Sequence, residues 1–158
     1  MQLRHGVNVV TALLPKDITG AAQAGQWVSL KNYRACTVVL TQGAWAGGTP
    51  AVTLRQAQGV AGTNPKALPF SKRYQQATNA GTGYVESAVV NDTFNLPATP
   101  NQNHIIEVDA ATLDVDNGYD CIQVNIGTPG VFVDILSAVY LLYGSRYADN
   151  AMPNPFVD

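Results

Sequence analysis

DVDNGYDCIQVNIGTPGVFVDILSAVYLLYGSRY, residues 114–147, is the stretch from which the fold can be read. Two β-prone runs, 119–126 and 131–143, flank Gly127-Thr128-Pro129-Gly130, whose Gly and Pro supply turn conformations that neither run could continue through. In the first run Ile122, Val124 and Ile126 alternate with Cys121, Gln123 and Asn125, the period of a strand with one buried face. The second run is apolar on both faces. Val133, Ile135, Val139, Leu141 and Tyr143 point one way; Phe132, Leu136, Ala138, Tyr140 and Leu142 point the other. Such a strand is covered on both sides, by its own fold or by a partner.

Upstream the same signals recur. A strand at 104–108 ends at Asp109, and another at 84–90 extends past a bend into 92–96. The run 67–76 is weaker, because Pro69 cannot donate to a ladder and argues for an edge or a strand start. In 51–57, Val52 and Leu54 face inward and Thr53 and Arg55 outward. A Gly-rich turn carries Trp45. In 34–41, Cys36, Val38 and Leu40 share a face. Residues 27–30 open the ordered body, with a turn at 31–33. About eight short strands with turn signals between them, and no helix of any length, predict an all-β fold. The specific expectation is an antiparallel β-sandwich, a jelly roll of about eight strands with extended N- and C-terminal arms. The Cys…Trp…Cys signature of an immunoglobulin plan is missing, and no internal repeat points to a propeller. The expected division is an N-terminal arm at 1–24, a sandwich domain at 25–144 and an extended tail at 145–158. Val7, Val9, Val10, Leu13 and Leu14 make the arm apolar, and 6–14 could add an edge strand to the domain or to a neighbour.

Composition narrows the function classes. A chain of 158 residues fits one domain with a sizeable core. Only 13% of residues are charged while 46% are hydrophobic, a balance that suits packing against other protein, since interface cores are depleted in charge. A net charge of −2 leaves no electrostatic footprint for nucleic acid. The N-terminal apolar run is too short and too interrupted for a signal peptide or a membrane span. Synthesis in a cytoplasm is expected, and no membrane partner. Cys36 and Cys121 lie in separate strands and read as small buried apolar residues, a single bridge being the weaker alternative.

Catalytic and metal patterns are sparse. His5 and His104 have no companion at metal-ligand spacing, and there is no G-x-S-x-G, H-E-x-x-H or P-loop. Asp114, Asp116, Asn117 and Asp120 resemble calcium ligands. The EF-hand template fails, however, because Tyr119 occupies the place of its glycine and no Glu closes the loop. Loop Asp and Asn more often form turns on their own backbone. Glu107 and Asp109 share a strand face, but a glycosidase needs its carboxylates to flank a sugar. The aromatic residues, among them Trp27, Trp45 and Tyr84, serve either as a sugar platform or, more ordinarily, as core and interface anchors. No catalytic residue, metal or cofactor is expected.

Several segments together resemble a known family. Leu14-Pro15-Lys16-Asp17-Ile18-Thr19-Gly20 followed by Ser29-Leu30-Lys31-Asn32-Tyr33 is similar to the opening of small head-module structural proteins of tailed bacteriophages and prophages. LRQAQGVAGTNPKALPF resembles their strand–loop–strand. IEVDAATLDVDNGYDCIQVNIG and LSAVYLLYGSRYA resemble their C-terminal half, up to Arg146-Tyr147-Ala148. The resemblance spans most of 10–148 and implies a capsid decoration or cement protein made in the host bacterial cytoplasm. Such a protein binds the outside of the phage head, on the virion's capsid surface, and stabilises contacts between capsomers. Its partner would be the major capsid protein, and the family offers no catalytic residues to carry over. The two-faced run 131–143 adds an expectation of self-association as a dimer or trimer. Candidate interface residues are Val7, Val9, Val10, Leu13, Leu14, Phe132, Leu136, Tyr140, Tyr147 and Phe156. The rival reading is a β-sandwich receptor- or glycan-binding module of a phage fibre or tail. A small hydrolase with an assembled carboxylate site is the third.

Overall fold

The alternation in 114–147 becomes two strands that lie in different sheets. A computed structural model describes residues 6–77, 83–146 and 152–157. In chain order its strands are β1 (Val7–Asp17), β2 (Gln23–Ala24), β3 (Val28–Ser29), β4 (Ala35–Trp45), β5 (Ala51–Ala57) and β6 (Lys66–Ala67). After these come β7 (Lys72–Ala77), β8 (Val85–Ala88), β9 (Thr93–Asn95), β10 (Gln102–Asp109), β11 (Cys121–Ile126) and β12 (Asp134–Tyr143). The first sheet runs β1-β12-β4-β10-β7-β8 and the second β2-β11-β5-β6, with β3 also on β11 and β9 on β5. Every pairing is antiparallel.

This is an all-β sandwich with jelly-roll connectivity. The first strand pairs with the last, β2 and β3 pair with β11, β4 with β10, and β5 with β6 and β9. The chain therefore folds back on itself as one long antiparallel ribbon whose rungs alternate between sheets. The β7–β8 hairpin extends the first sheet beyond β10.

The structure decides between the alternatives left open for the two ends. Part of the stretch expected to be an arm, Val7–Asp17, is the edge strand of the first sheet, running from Val7 opposite Tyr143 to Asp17 opposite Ile135. Its period is hidden because the register shifts twice, between Thr11 and Leu13 and between Leu13 and Lys16. Bulges of this kind put Ala12 and Leu13 both inside and make room for Pro15, which has no N–H to give a ladder. The described part of the tail also lies on its own domain. Ser29 N donates to Pro155 O at 2.8 Å, the Tyr33 hydroxyl donates to Pro153 O, and Met152 packs against the core.

The core is the space between the inner faces. Leu142, Tyr140 and Ala138 of β12 lie beside Cys36, Val38 and Leu40 of β4, which lie beside Val108, Ile106 and His104 of β10. Ile122, Val124 and Ile126 face them from the second sheet with Val52 and Leu54. Tyr140 spans the gap, its hydroxyl accepting a bond from Val124 N at 2.9 Å. Position 25 must be glycine for this, since a Cβ there would sit 2.8 Å from that hydroxyl. Cys36 and Cys121 are buried thiols with no disulfide between them, and burial pushes the Cys36 thiol up.

Two polar groups are buried with them. Asp134 has no exposed surface, and its carboxylate accepts backbone bonds from Ala46 N at 2.7 Å, Gly48 N at 3.0 Å and Gly47 N at 3.3 Å. A Cβ on Gly48 would collide with the Asp134 carboxylate and with Pro129. His104 is likewise fully buried. Arg73 donates to its Nδ1 at 3.1 Å, which leaves the proton on Nε2, 2.7 Å from Gln42 Oε1; Gln42 Nε2 then donates to Pro97 O at 3.0 Å.

Replacing Asp134 with Ala orphans backbone N–H groups inside the fold, and chemical denaturation should show a loss of about 3 kcal/mol or more. For His104, burial first, and then the Arg73 charge, lower the pKa to about 4. The unfolded chain therefore takes up this proton before the native one does. Its contribution is complete above about pH 6.5 and is lost as pH falls towards 4, an effect of up to about 3 kcal/mol. Denaturation midpoints measured across that window should fall less steeply for His104→Gln than for the parent.

Candidate interaction face

Strict alternation along β12 buries Asp134, Leu136, Ala138, Tyr140 and Leu142 and leaves Ile135, Ser137, Val139, Leu141 and Tyr143 half-buried on the outer face. Register then assembles rows across the sheet. Thr11, Val139, Val39, Ile105 and Tyr74 form one continuous row over β1, β12, β4, β10 and β7. Val9, Leu141, Thr37 and Glu107 form the next. Ser137, Thr41, Asn103 and Gln76 form a third on the other side. In these rows Glu107 is the one charged residue. The outward face of an antiparallel sandwich is ordinarily polar. Here Val9, Leu141, Val139, Val39 and Ile105 lie side by side at its centre, bordered by Thr, Ser, Asn and Gln.

Two apolar features flank the face. At one end of the sandwich the β11–β12 loop presents Val131, Phe132 and Val133, exposed by 87%, 43% and 56%. The loop is fastened by Thr19 Oγ1 donating to Phe132 O at 2.8 Å and by Gly20 N donating to Gly130 O at 2.7 Å. Beside β1, Val9, Leu14 and Phe156 line a groove of about 380 Å³ with Gln26 and Pro155.

The structure thus divides the candidate interface residues. Val9, Leu14, Phe132 and Phe156 are exposed, and Val7 is half-buried opposite Tyr143 on the outer face. Leu136 and Tyr140 are core residues, because they share the inward parity of Ala138; Val10 is inward by its register with Tyr140, and the β1 bulge turns Leu13 inward as well. Tyr147 lies outside the described residues. Val39, Ile105, Val139 and Leu141 take their place. Thr37 and Thr41 were the available signal for β4's outer side, but which strand lies against which is not written in either run.

The acidic positions have structural partners. Asp114 pairs with the Lys66 ammonium and accepts from Asn117 Nδ2 at 2.8 Å, and the bond from Lys66, then that from Asn117, holds its carboxyl below the usual range. Lys66 also sits 3.9 Å above the Tyr119 ring. Asp109 caps the 3₁₀ turn at Ala110–Thr112 through Ala111 N, leaving Glu107 alone on the sheet face. Among the described residues no group of three or more His, Cys, Asp or Glu could hold a metal ion.

What the strands define is a jelly-roll sandwich with a broad, half-buried outer face on its first sheet. No protein-family model matches the chain, and no curated protein matches it. Among solved structures it is similar to the SPBc2 prophage-derived protein YomS, with a TM-score of 0.50 and 9% identity over 87% of this chain and 93% of that one. A chain of infectious bursal disease virus, Gx strain, overlaps with a TM-score of 0.36 and 13% identity over 89% of this chain and 32% of the viral one. The likeness to the prophage-derived protein is one of fold.

Because Asp114 is satisfied by Lys66 and Asn117, a millimolar chelator should leave the melting temperature unchanged. A drop of several degrees that added calcium restores would show the loop to be a metal site.

Proposed function

We propose that this protein is a non-enzymatic virion structural protein, a decoration or cement protein of a phage head. The observation that carries the reading is the outer face of the first sheet, whose central row is mostly apolar from β1 to β7 and meets its first charged residue, Glu86, at the far edge on β8. The resemblance of residues 10–148 to phage head-module proteins and the fold shared with a prophage-derived protein point the same way. In this role the face lies against the major capsid protein or a second copy of the chain at junctions between capsomers. Binding the assembled shell and not the dissociated subunits shifts the equilibrium towards the intact particle. Many symmetry-linked contacts then act together.

The size of the face suits this use. Five strands at about 4.8 Å and about nine residues at about 3.3 Å give roughly 700 Å². A stable interface takes about 800 Å² from each partner. A face with so little charge can also meet its own copy without like-charge repulsion, which supports a dimer or trimer.

Co-sedimentation with expanded, DNA-free heads of the encoding phage tests the proposal. The protein should pellet with the heads, and Val139→Glu, which keeps the inner face intact, should weaken binding by at least about tenfold, roughly 1.4 kcal/mol. Density confined to the tail or fibres in a map of the particle, together with binding on a glycan array, would instead establish the receptor-binding reading.

A further inference from the structure

The second large concavity lies at the end of the sandwich away from the Val131–Val133 loop, where β4 begins and β10 and β12 end. It is a cleft of about 830 Å³, within the range of sites that hold a ligand or a peptide segment. Its lining includes Leu30, Leu113, Ala110 and Tyr119, with Lys31, Arg34 and Arg146 around them. Leu30, Ala110 and Leu113 are buried, so the floor is apolar and the rim basic.

The concentration of cations here is unusual for this chain. Of its nine Lys and Arg residues, Lys66 and Lys72 are held in ion pairs, and Arg73 lies against His104 and the Phe94 ring. Among the described residues the side chains of Lys31, Arg34 and Arg146 have no such partner, yet all line one cleft. The same lining holds two carboxylates, so its cations outnumber its anions by three to two. Asp109 caps Ala111 N at 2.9 Å, and Asp120 accepts from the Cys121 thiol at 3.1 Å.

The backbone holds the basic rim in place. Arg34 N donates to Tyr143 O and Gly144 O, both at 3.1 Å, Arg34 O accepts from Ala110 N at 2.8 Å, and Arg146 N donates to Asn32 O at 3.0 Å. Gly144 makes this stitching possible. Its φ is +67°, and a Cβ there would come within 2.6 Å of Arg34 Cβ. The two guanidinium groups thus extend from fixed points beside a dry floor, an arrangement suited to carboxylates.

We infer that this cleft binds an acidic peptide segment, with an aliphatic or aromatic side chain on the Leu30–Leu113 floor and carboxylates on Lys31, Arg34 and Arg146. The site is separate from the sheet face, and its test does not involve the phage shell.

Panning a random heptapeptide library on the immobilised full chain, and in parallel on Arg34→Glu/Arg146→Glu, tests the inference. Both substituted side chains are exposed, and circular dichroism and melting should match the parent. Sequences enriched on the parent should combine Asp or Glu with one large apolar residue. A fluorescent synthetic copy should bind the parent at least about tenfold more tightly than the variant, with affinity falling as salt rises. Lys31→Glu alone should weaken binding in the same direction. Failure to enrich any sequence, enrichment of peptides without acidic residues, or equal binding to the variant would overturn the site.

Discussion

The carboxylate of Asp134 is the point on which one end of the sandwich is hung. It begins β12 yet faces inward, where no basic side chain meets it among the described residues, and its negative charge is answered by the N–H groups of Ala46, Gly47 and Gly48. Its own carbonyl accepts from Ile18 N at 3.0 Å. A single residue therefore ties together the end of β1, the end of β4 and the loop that carries Val131 and Phe132. Buried hydrogen bonds to an ionised group are among the stronger ones available to a fold. Here they align the strands whose outer sides make the contact face.

Much of this was legible in the sequence and some was not, for physical reasons. The runs that became β11 and β12 were recognisable because one alternates and the other is long and apolar. The turn between them was marked by Gly127, Pro129 and Gly130. Pro69 marked the weakness of the run 67–76, which the structure breaks into the end of β6 and the separate strand β7. The first strand was legible only as an edge strand over 6–14, of this domain or a neighbour. Its extent to Asp17 was hidden because its bulges put Ala12 and Leu13 inside together, which breaks the two-residue period. The roles of Leu136 and Tyr140 were misjudged because a strand apolar on both sides does not disclose which side its own fold will cover. Asp134 did carry a signal. An acidic residue at the inward parity of Leu136 and Ala138 needs a nest of donors, and the nearby Gly47-Gly48 pair was the natural place to look.

The contact face itself is a collective property. No residue in it is unusual alone: Val39 and Ile105 read as ordinary strand residues, and Thr11 as part of an apolar arm. Only the register of five strands places Thr11, Val139, Val39, Ile105 and Tyr74 in one line. Low charge content hinted at such a surface without locating it. The basic cleft is a similar case, since Lys31, Arg34 and Arg146 come from opposite ends of the sequence and meet because β12 returns beside β4.

The pairing of β1 with β12 also governs when the first sheet closes. Val7 lies opposite Tyr143, so β12 must leave the ribosome before the first sheet can close. Topologies built from such distant partners fold slowly compared with helical bundles. During that interval the rows of the outer face do not exist, and a half-made chain cannot present them to its neighbours.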